Sequence, residues 1–393
     1  MKNYKELLIE NKAWIEETFA KVDNKLSKVT LRSRDKLVDG VGADGVTHKS
    51  VLPLAWTSGF WGGMNVLMYE YTKNEDYLLT AKKSEEMLDE ALANFEALYH
   101  DVGFMWHILS GALYRITGDE KSKRRNLFAA SSLFSRYVKS GNFIRAWNDN
   151  SSKGWAQRSV KDWSIIDCMM NLPILYWASD LIGDDRFKQI AIAHADMTLE
   201  QHIRPDGSVN HIIEHDRETG AVVERIGGQG LGPDTSWSRG QAWAIYGFAL
   251  SYIHTGDVRY LDACKRVSNY FIANVCDDWI PRIDFRAPST PVYYDTTAGM
   301  CAACGMLELA KRLPEGEGGM YANAAINMMK ATAEKFGDFD PEHDVMISHG
   351  SVRYPVPGVY DEKKAGVHIP IIYAEYYFVE ALLKLLGSDF LAW

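Results

Sequence analysis

The sequence predicts an all-α protein in which helical hairpins close into a ring. Apolar residues recur at i, i+3, i+4 and i+7 through most of the chain, which is the period of a helix with a buried face. Short turn motifs recur between a strongly apolar helix and a more amphipathic one, as expected for tightly connected helical hairpins. These motifs are YTKNEDY, ITGDEKS, LIGDDRF and HTGDVRY.

A polar or aromatic motif opens each apolar helix, one helix length of about 25–30 Å before the turn. The motifs are AWTSGFW, YHDVGFMW, SIIDCMMN, TSWSRGQAW, YYDTTAGM and GVHIPIIYAEYYFVEALLKLLG. The sixth apolar helix has no partner after it, whereas residues 4–25 form an amphipathic helix with no partner before it. Pairing the N-terminal helix with the C-terminal helix closes a six-hairpin toroid. No Pro/Gly/Ser-rich linker interrupts the chain, so residues 1–393 are expected to form one domain.

One end of this toroid is expected to carry the function. The apolar helices should line the inside, and their N-termini then converge on a single face. The connections on that face are long, at roughly 140–160, 203–235, 277–294 and 338–366. Long connections in a compact fold usually carry binding or catalytic residues.

Composition excludes several classes of protein. A net charge of −9 at pH 7 is unfavourable for a nucleic-acid surface. No apolar run approaches the roughly 18 residues that a membrane span requires, and the N-terminus lacks the features of a signal peptide. We therefore expect a cytoplasmic protein with reduced thiols, which suits its five cysteines. Cys301 and Cys304 form a CxxC within an apolar helix and are expected to be buried structural thiols.

Two aspartates are the candidate catalytic groups. Asp167 is the acidic residue of the otherwise apolar run WSIIDCMMNLPILYW, and burial raises the pKa of a carboxyl group, as a general acid at neutral pH requires. The alternative is an Asp that caps the helix beginning near Pro173. Asp101 occupies the matching position one hairpin earlier, and two neighbouring carboxyls raise one another's pKa. Asp295 is a third candidate, for which capping of Thr296 and Thr297 is the favoured role.

Candidate recognition residues lie in DTSWSRGQAW and in the long connection before it. Arg239 opens a helix, where its charge favours an anionic partner, either a protein carboxylate such as Asp234 or a carboxylate on the substrate. Trp237 and Trp243 are suited to stacking on a sugar or to filling the core.

His211 and Gln229 belong to the same face of the ring. His211 has the alternative of a buried structural histidine. No Cys/His spacing typical of a metal site is present, and the glycines around Gln229 lack the Lys-Ser/Thr of a phosphate loop. We therefore expect no metal and no cofactor.

Several stretches resemble the unsaturated glucuronyl hydrolases, glycoside hydrolase family 88. They are WTSGFW, HDVGFMW, SIIDCMMNLPILYWAS, DGSVNH, GPDTSWSRGQAWAIYGFA and YAEYYFVEALL. The resemblance implies an (α/α)6 barrel, with Asp167 as the general acid/base and Asp101 as the assisting carboxylate. It also implies sugar contacts at Trp56, His211, Gln229, Trp237, Arg239 and Trp243.

A sulfate-binding pattern near the C-terminus is part of this resemblance. Some streptococcal-type members bind a substrate sulfate through Ser-x-x-Ser-x-Lys, and Ser348, Ser351 and Arg353 stand at that spacing in ISHGSVRYP. Arg in place of Lys keeps a basic group but alters its geometry. The pattern implies sulfated chondroitin fragments as substrates.

The function expected from the resemblance is the release of a 4,5-unsaturated uronic acid from the non-reducing end of lyase-generated oligosaccharides of the glycosaminoglycan type. The nearest alternative is an unsaturated rhamnogalacturonyl hydrolase acting on pectin fragments. Others are an (α/α)6 sugar epimerase, which would depend on His pairs, and a helical-repeat binding scaffold, which the lone acids in apolar runs disfavour. The oligomeric state is expected to be a monomer or a small homo-oligomer.

Overall fold

Fourteen α-helices account for most of the part of the chain that the structure describes. The computed structural model describes residues 2–42, 44–149, 159–356, 358–359 and 361–393. The helices are α1 (Tyr4–Arg32), α2 (Ser58–Thr72), α3 (Glu75–Met87), α4 (Asp89–Ala93), α5 (Ala112–Thr117), α6 (Glu120–Phe134), α7 (Pro173–Ile182), α8 (Asp185–Gln201), α9 (Ser238–Thr255), α10 (Val258–Asn274), α11 (Thr296–Arg312), α12 (Glu315–Phe336), α13 (Glu362–Ala365) and α14 (Ile372–Leu385). A π-helix, Gly103–Gly111, runs directly into α5, and 3₁₀ turns cover Phe95–Ala97 and Ile166–Met170.

The helices form an (α/α)6 barrel, as the repeat pattern predicted. The inner ring runs through α2, the π-helix with α5, α7, α9, α11 and α14, and the contact of α14 with α2 closes it. All residues of α14 are buried, as befits an inner helix. The outer helix α1 packs on α14, α3 and α12, so the predicted pairing of N-terminal and C-terminal helices is confirmed. Its buried stripe, Leu7, Ile15, Val22, Leu26 and Val29, faces the ring.

The short turns between inner and outer helices share one local design. At the end of α5, Gly118 adopts a left-handed φ of 71°, and its N–H donates to the Tyr114 carbonyl at 2.8 Å. Asp119 then caps α6 by accepting the backbone N–H of Lys121 at 2.8 Å. Glycine is favoured at the first position because a left-handed residue with a side chain is strained. The pairs Gly183–Asp184, Gly256–Asp257 and Lys73–Asn74 repeat the arrangement.

The long connections at the other face contain small antiparallel sheets, which the all-α expectation missed. The strands are β1 (Val38–Val41), β2 (His48–Ser50), β3 (Tyr137–Val138), β4 (Phe143–Ile144), β5 (Trp163–Ile165), β6 (Ile212–His215) and β7 (Val222–Ile226). Strand β1 pairs with β2, β3 pairs with β4, and β5–β6–β7 form a three-stranded sheet. Within that sheet Ile165 lies opposite Ile212. Two long connections are therefore joined edge to edge above the barrel mouth.

Aromatic side chains fill the interior of the barrel. Phe104 contacts Trp243 with ring centroids 5.3 Å apart, and Trp393 stacks on Tyr377 at 6.1 Å. These residues belong to one hydrophobic cluster that spans all six hairpins. Cys304 lies in the same interior with a free thiol, as predicted for the CxxC. The ring is therefore a packed core rather than an open channel at this level.

Replacing Asp119 with alanine should lower the free energy of unfolding by about 1 kcal/mol, because α6 loses its side-chain N-cap. Urea denaturation of the purified protein measures the change. Asp119→Asn keeps an acceptor at the same position and is expected to retain most of the stability. Equal losses in the two variants would show that capping is not what Asp119 contributes.

Candidate active site

The two candidate acids lie at the mouth of the barrel, each just before an inner helix. Asp101 lies two residues before the start of the π-helix, and Asp167 lies in the 3₁₀ turn between β5 and α7. Burial raises the pKa of Asp167 to about 7, although the charge of Arg239 acts in the opposite direction. Burial also raises the pKa of Asp101 well above its usual value, and the nearby Asp167 raises it further. Both carboxyls are therefore biased towards the protonated form.

This arrangement changes one detail of the expected coupling. Asp101 was expected to help raise the pKa of Asp167, whereas burial alone accounts for that rise. The repulsion instead acts on Asp101, which holds its proton more tightly when Asp167 ionises. Asp167 is thus the group of the pair that titrates near neutral pH.

The capping alternative separates the aspartates. Helix α7 begins with Pro173 and has no side-chain N-cap, so Asp167 does not cap it. Asp295 does cap α11, because its carboxylate accepts the backbone N–H of Thr297 at 3.2 Å. Asp167, the predicted catalytic acid, is therefore not a helix cap, whereas Asp295, the predicted cap, is one.

Asn171 joins the backbone segments that carry the two acids, and sequence reasoning missed it. Its side-chain oxygen accepts the N–H of Phe104 at 3.0 Å, and its amide nitrogen donates to the carbonyl of Asp167 at 3.3 Å. It also hydrogen-bonds the Asp101 side chain, which moderates the rise in the pKa of that carboxyl. The residue closes the SIIDCMMN motif, and its amide in an apolar run was the available signal.

His211 lies beside Asp167 because the β5–β6 ladder holds the two segments together. The Ile166 N–H donates to the His211 carbonyl at 3.1 Å. Burial lowers the pKa of His211 to about 3, so its ring is neutral at pH 7. Its Nδ1 accepts the N–H of Gln229 at 3.0 Å, which places the ring proton on Nε2. That atom lies 3.7 Å from Asp167 Oδ2.

A glycine allows this contact between His211 and Gln229. Gly228 has a left-handed φ of 62°, and a Cβ there would come within 2.1 Å of His211 Nδ1. The glycine-rich segment therefore serves a close backbone approach to a histidine.

His100 is a second neutral histidine in the site, and it was also missed. Its Nε2 lies 3.4 Å from Asp101 Oδ1, and burial lowers its pKa well below the usual value. The residue immediately precedes Asp101 in the HD pair, which was the available signal. A neutral imidazole on Asp101 adds a polar neighbour without adding a positive charge.

Arg239 is held by a buried ion pair, but not with the acid first suggested. Its Nη1 lies 2.7 Å from Asp295 Oδ2, and Asp234 is not its partner. Nη1 also donates to the Ser351 carbonyl, and Nη2 donates to the Val352 carbonyl at 2.6 Å. The guanidinium lies 4.6 Å from the Trp237 ring centroid. Arg239 thus ties α9 to α11 and to the segment around 351–352.

The three predicted tryptophans differ in exposure. Trp56 is half-buried and lies on a cavity wall beside Tyr373, with ring centroids 5.0 Å apart. Trp237 is almost fully buried and packs on the His211 ring at 4.2 Å. Trp243 is fully buried within the aromatic interior, beneath the site. Of the three, Trp56 has the most accessible ring.

The two serine hydroxyls of the Ser348–Arg353 segment both contact other parts of the protein. The Ser351 hydroxyl is buried and donates to the Tyr294 carbonyl at 2.7 Å. The Ser348 hydroxyl contacts the Phe336 carbonyl at 3.3 Å and the adjacent histidine ring. The positive charge of Arg353 contributes to lowering the pKa of His211, so the Arg353 side chain lies near that ring.

Metal-ligand clusters and membrane-spanning helices are both absent from the described part of the chain. Among the described residues, no group of three or more His, Cys, Asp or Glu side chains is arranged to hold a metal ion. None of the described helices combines the length and apolar character that crossing a bilayer demands.

The fold and the site together define a class of enzyme. Paired buried carboxyls beside aromatic side chains, at one mouth of an (α/α)6 barrel, are the arrangement of a glycoside hydrolase. The chain belongs to Glycosyl Hydrolase Family 88, whose model matches residues 33–284.

Individual relatives cover most of the chain. It is 35% identical to the unsaturated glucuronyl hydrolase of Bacillus sp. (strain GL1), over 84% of this chain and 86% of that protein. It is 32% identical to the unsaturated chondroitin disaccharide hydrolase of Streptococcus pneumoniae (strain R6), over 88% and 87% of the two chains. A crystal structure of a mutant unsaturated glucuronyl hydrolase from Streptococcus agalactiae, complexed with dGlcA-GalNAc6S, matches with a TM-score of 0.79 at 27% identity. That match covers 97% of this chain and 94% of the other.

Arg239→Met should lower the free energy of unfolding by about 3–5 kcal/mol, because it leaves the Asp295 carboxylate buried without its partner. The double variant Arg239→Met/Asp295→Asn removes that unpaired charge and should recover part of the loss. Urea unfolding of the wild type, both single variants and the double variant measures the coupling. Strict additivity would contradict an energetically coupled pair.

Proposed function

We propose that this enzyme hydrolyses lyase-generated oligosaccharides that carry a 4,5-unsaturated uronic acid at the non-reducing end, and that it does so by hydrating the C4=C5 vinyl ether. The observation that carries the proposal is a partly buried carboxyl at the barrel mouth, Asp167, whose pKa is raised to about 7. Such a group supplies a proton at neutral pH, which is the first requirement of vinyl ether hydration. The relatives named for unsaturated glucuronyl and chondroitin disaccharide substrates support the same substrate class.

The chemistry proceeds by proton transfer and addition of water. A proton bonds to C4, and positive charge develops on C5 and the ring oxygen. A water oxygen then bonds to C5 and gives up a proton, which forms a hemiketal. The hemiketal opens to a ketone, and this leaves a hemiacetal at the glycosidic carbon that falls apart to release the second sugar. The route differs from displacement at the anomeric carbon by two carboxylates.

Asp167 is assigned both proton transfers. As the neutral acid it protonates C4, and as the resulting carboxylate it takes a proton from the attacking water. His211 faces Asp167 Oδ2 with a neutral ring, so it orients this carboxyl without the positive charge that would lower its pKa. Asp101, whose raised pKa keeps its proton, is positioned to donate a hydrogen bond to a substrate hydroxyl.

The uronate carboxylate needs a positively charged surrounding. Both terminal nitrogens of Arg239 are occupied by protein oxygens, so its contribution is the electrostatic field that also reaches Asp167. Gln229 lies next to His211, and its side-chain amide donates one hydrogen to the Val352 carbonyl at 2.8 Å, so its second amide hydrogen makes it the better placed direct contact of the two. Arg353 adds a second charge on the same side.

The remaining expectations belong to the same proposal. A single hydrophobic cluster across the six hairpins supports one catalytic domain over residues 1–393. A cytoplasmic location is also part of the proposal, and it is supported by the five cysteines, which are all free thiols.

Asp167→Asn should lower kcat by roughly 10²–10⁴-fold with little change in substrate binding, because an amide cannot donate and retrieve the proton. Loss of the ultraviolet absorbance of the C4=C5 double bond measures turnover. The same variant should be more stable than the wild type at pH 8, where the wild type carries a buried carboxylate. This gain distinguishes a lost catalytic group from a misfolded protein. Near-normal turnover would refute the assignment.

The pH profile of kcat should fall as pH rises through about 7, where Asp167 ionises and ceases to be an acid. The sign follows from the reaction, since the protonated form is the active one. Steady-state rates across mildly acidic to alkaline pH measure it, and the residual activity of Asp167→Asn should lack this descending limb. Constant wild-type activity into strongly alkaline pH would exclude an acid of this kind.

A further inference from the structure

A cavity of about 300 Å³ lies between β1, β2 and the starts of α2 and α14, and Gln229 and Val352 also line it. This volume is at the lower end of the range of about 300–1,000 Å³ that is typical of small-molecule sites, and it suits a single sugar ring. Trp56 and Tyr373 supply aromatic faces on its wall, and Asp39 and Lys49 supply charged groups. The catalytic assignment uses neither charged residue.

The cavity adjoins the site through Gln229. This residue lies on the cavity wall, and its backbone N–H donates to His211 Nδ1 at 3.0 Å. His211 in turn faces Asp167. Two contacts therefore link the cavity wall to the acid, one from Gln229 to His211 and one from His211 to Asp167.

Asp39 is a half-buried carboxyl within the cavity wall. The Thr57 hydroxyl donates to its Oδ2 at 2.9 Å, and burial raises its pKa. A carboxyl fixed by a neighbouring hydroxyl is suited to hydrogen-bond a sugar hydroxyl or amide. The adjoining Trp56 ring offers a flat apolar face for the same sugar.

Lys49 is exposed at the cavity and has no carboxylate within 4.0 Å among the described residues. The Ser348–Arg353 segment, which resembles a sulfate-binding pattern, contributes only Val352 to the cavity wall. Ser351 lies buried behind it with its hydroxyl engaged by the Tyr294 carbonyl. The cation that faces this space therefore comes from β2, at the opposite end of the sequence.

We propose that this cavity binds the second sugar of the substrate, with Asp39 contacting its polar groups and Lys49 pairing with a sulfate ester on it. The assignment rests on the proposed function and names the substrate class more narrowly. It places selection for a sulfated second sugar on Lys49 rather than on Ser348, Ser351 and Arg353.

The test compares kcat/KM on unsaturated chondroitin disaccharides that are unsulfated, 4-sulfated or 6-sulfated. The wild type is expected to prefer one sulfated form. Lys49→Met should lower kcat/KM for that form roughly tenfold, mainly through KM, which is the effect of one charge-assisted hydrogen bond. Its rate on the unsulfated substrate should change by no more than about twofold, since no charge pair is lost there. Lys49→Arg should retain most of the preference.

Lys28→Met is the matched control, because it removes one exposed lysine from the outer helix α1. It should leave the sulfated-to-unsulfated ratio unchanged. An unchanged ratio in Lys49→Met, or a wild type with no preference, would overturn the proposal. Failure of the wild type to consume any of the substrates would instead contradict the proposed function. Calorimetric binding of the sulfated disaccharide to the wild type and to Lys49→Met tests the cavity independently of turnover.

Discussion

Shielding of the Asp167 carboxyl from water, with Oδ2 buried and the side chain 17% exposed, is the constraint on which the rest of the site depends. A carboxyl in solvent would be ionised at neutral pH and could not act as an acid. The protein keeps it buried by inserting a short 3₁₀ turn between β5 and α7 and by packing His211 against it. Because His211 is itself buried and neutral, the neighbour that shields Asp167 does not stabilise its ionised form. Shielding and protonation state are thus set by the same contacts.

The position of Asp101 depends on contacts of the neighbouring backbone as well as on contacts of its own side chain. Asn171 bonds to the N–H of Phe104 and to the carbonyl of Asp167, so the entrances to two neighbouring hairpins are fixed relative to each other. The Arg239–Asp295 pair does the same for α9 and α11 on the other side of the mouth. The polar residues at this end of the barrel therefore hold neighbouring hairpins in register.

The barrel could be predicted from the sequence because its signals are local. A left-handed glycine followed by a capping aspartate ends one helix and begins the next within a few residues, as at Gly118 and Asp119. Asp167 was recognisable for a similar reason, since one acid in an apolar run is visible without knowledge of its neighbours. The family resemblance added residue roles that helical periodicity alone does not carry.

What the sequence did not reveal depends on contacts between distant segments. The strands β5 and β6 are short and come from separate connections, so neither has a recognisable strand pattern alone. Arg239 pairs with Asp295 on the next inner helix rather than with Asp234 nearby in sequence. Asp39 and Lys49 lie in a short hairpin near the N-terminus, and only folding brings them to a wall shared with Gln229.

The packed aromatic side chains of Phe104, Trp243, Tyr377 and Trp393 close the interior of the barrel beneath the site. A polysaccharide chain cannot pass through this closed interior, so only the end of a chain can reach the acid. The released monosaccharide must then leave through the same opening by which the substrate entered. The packing of the core therefore restricts cleavage to chain ends, with one residue released in each binding event.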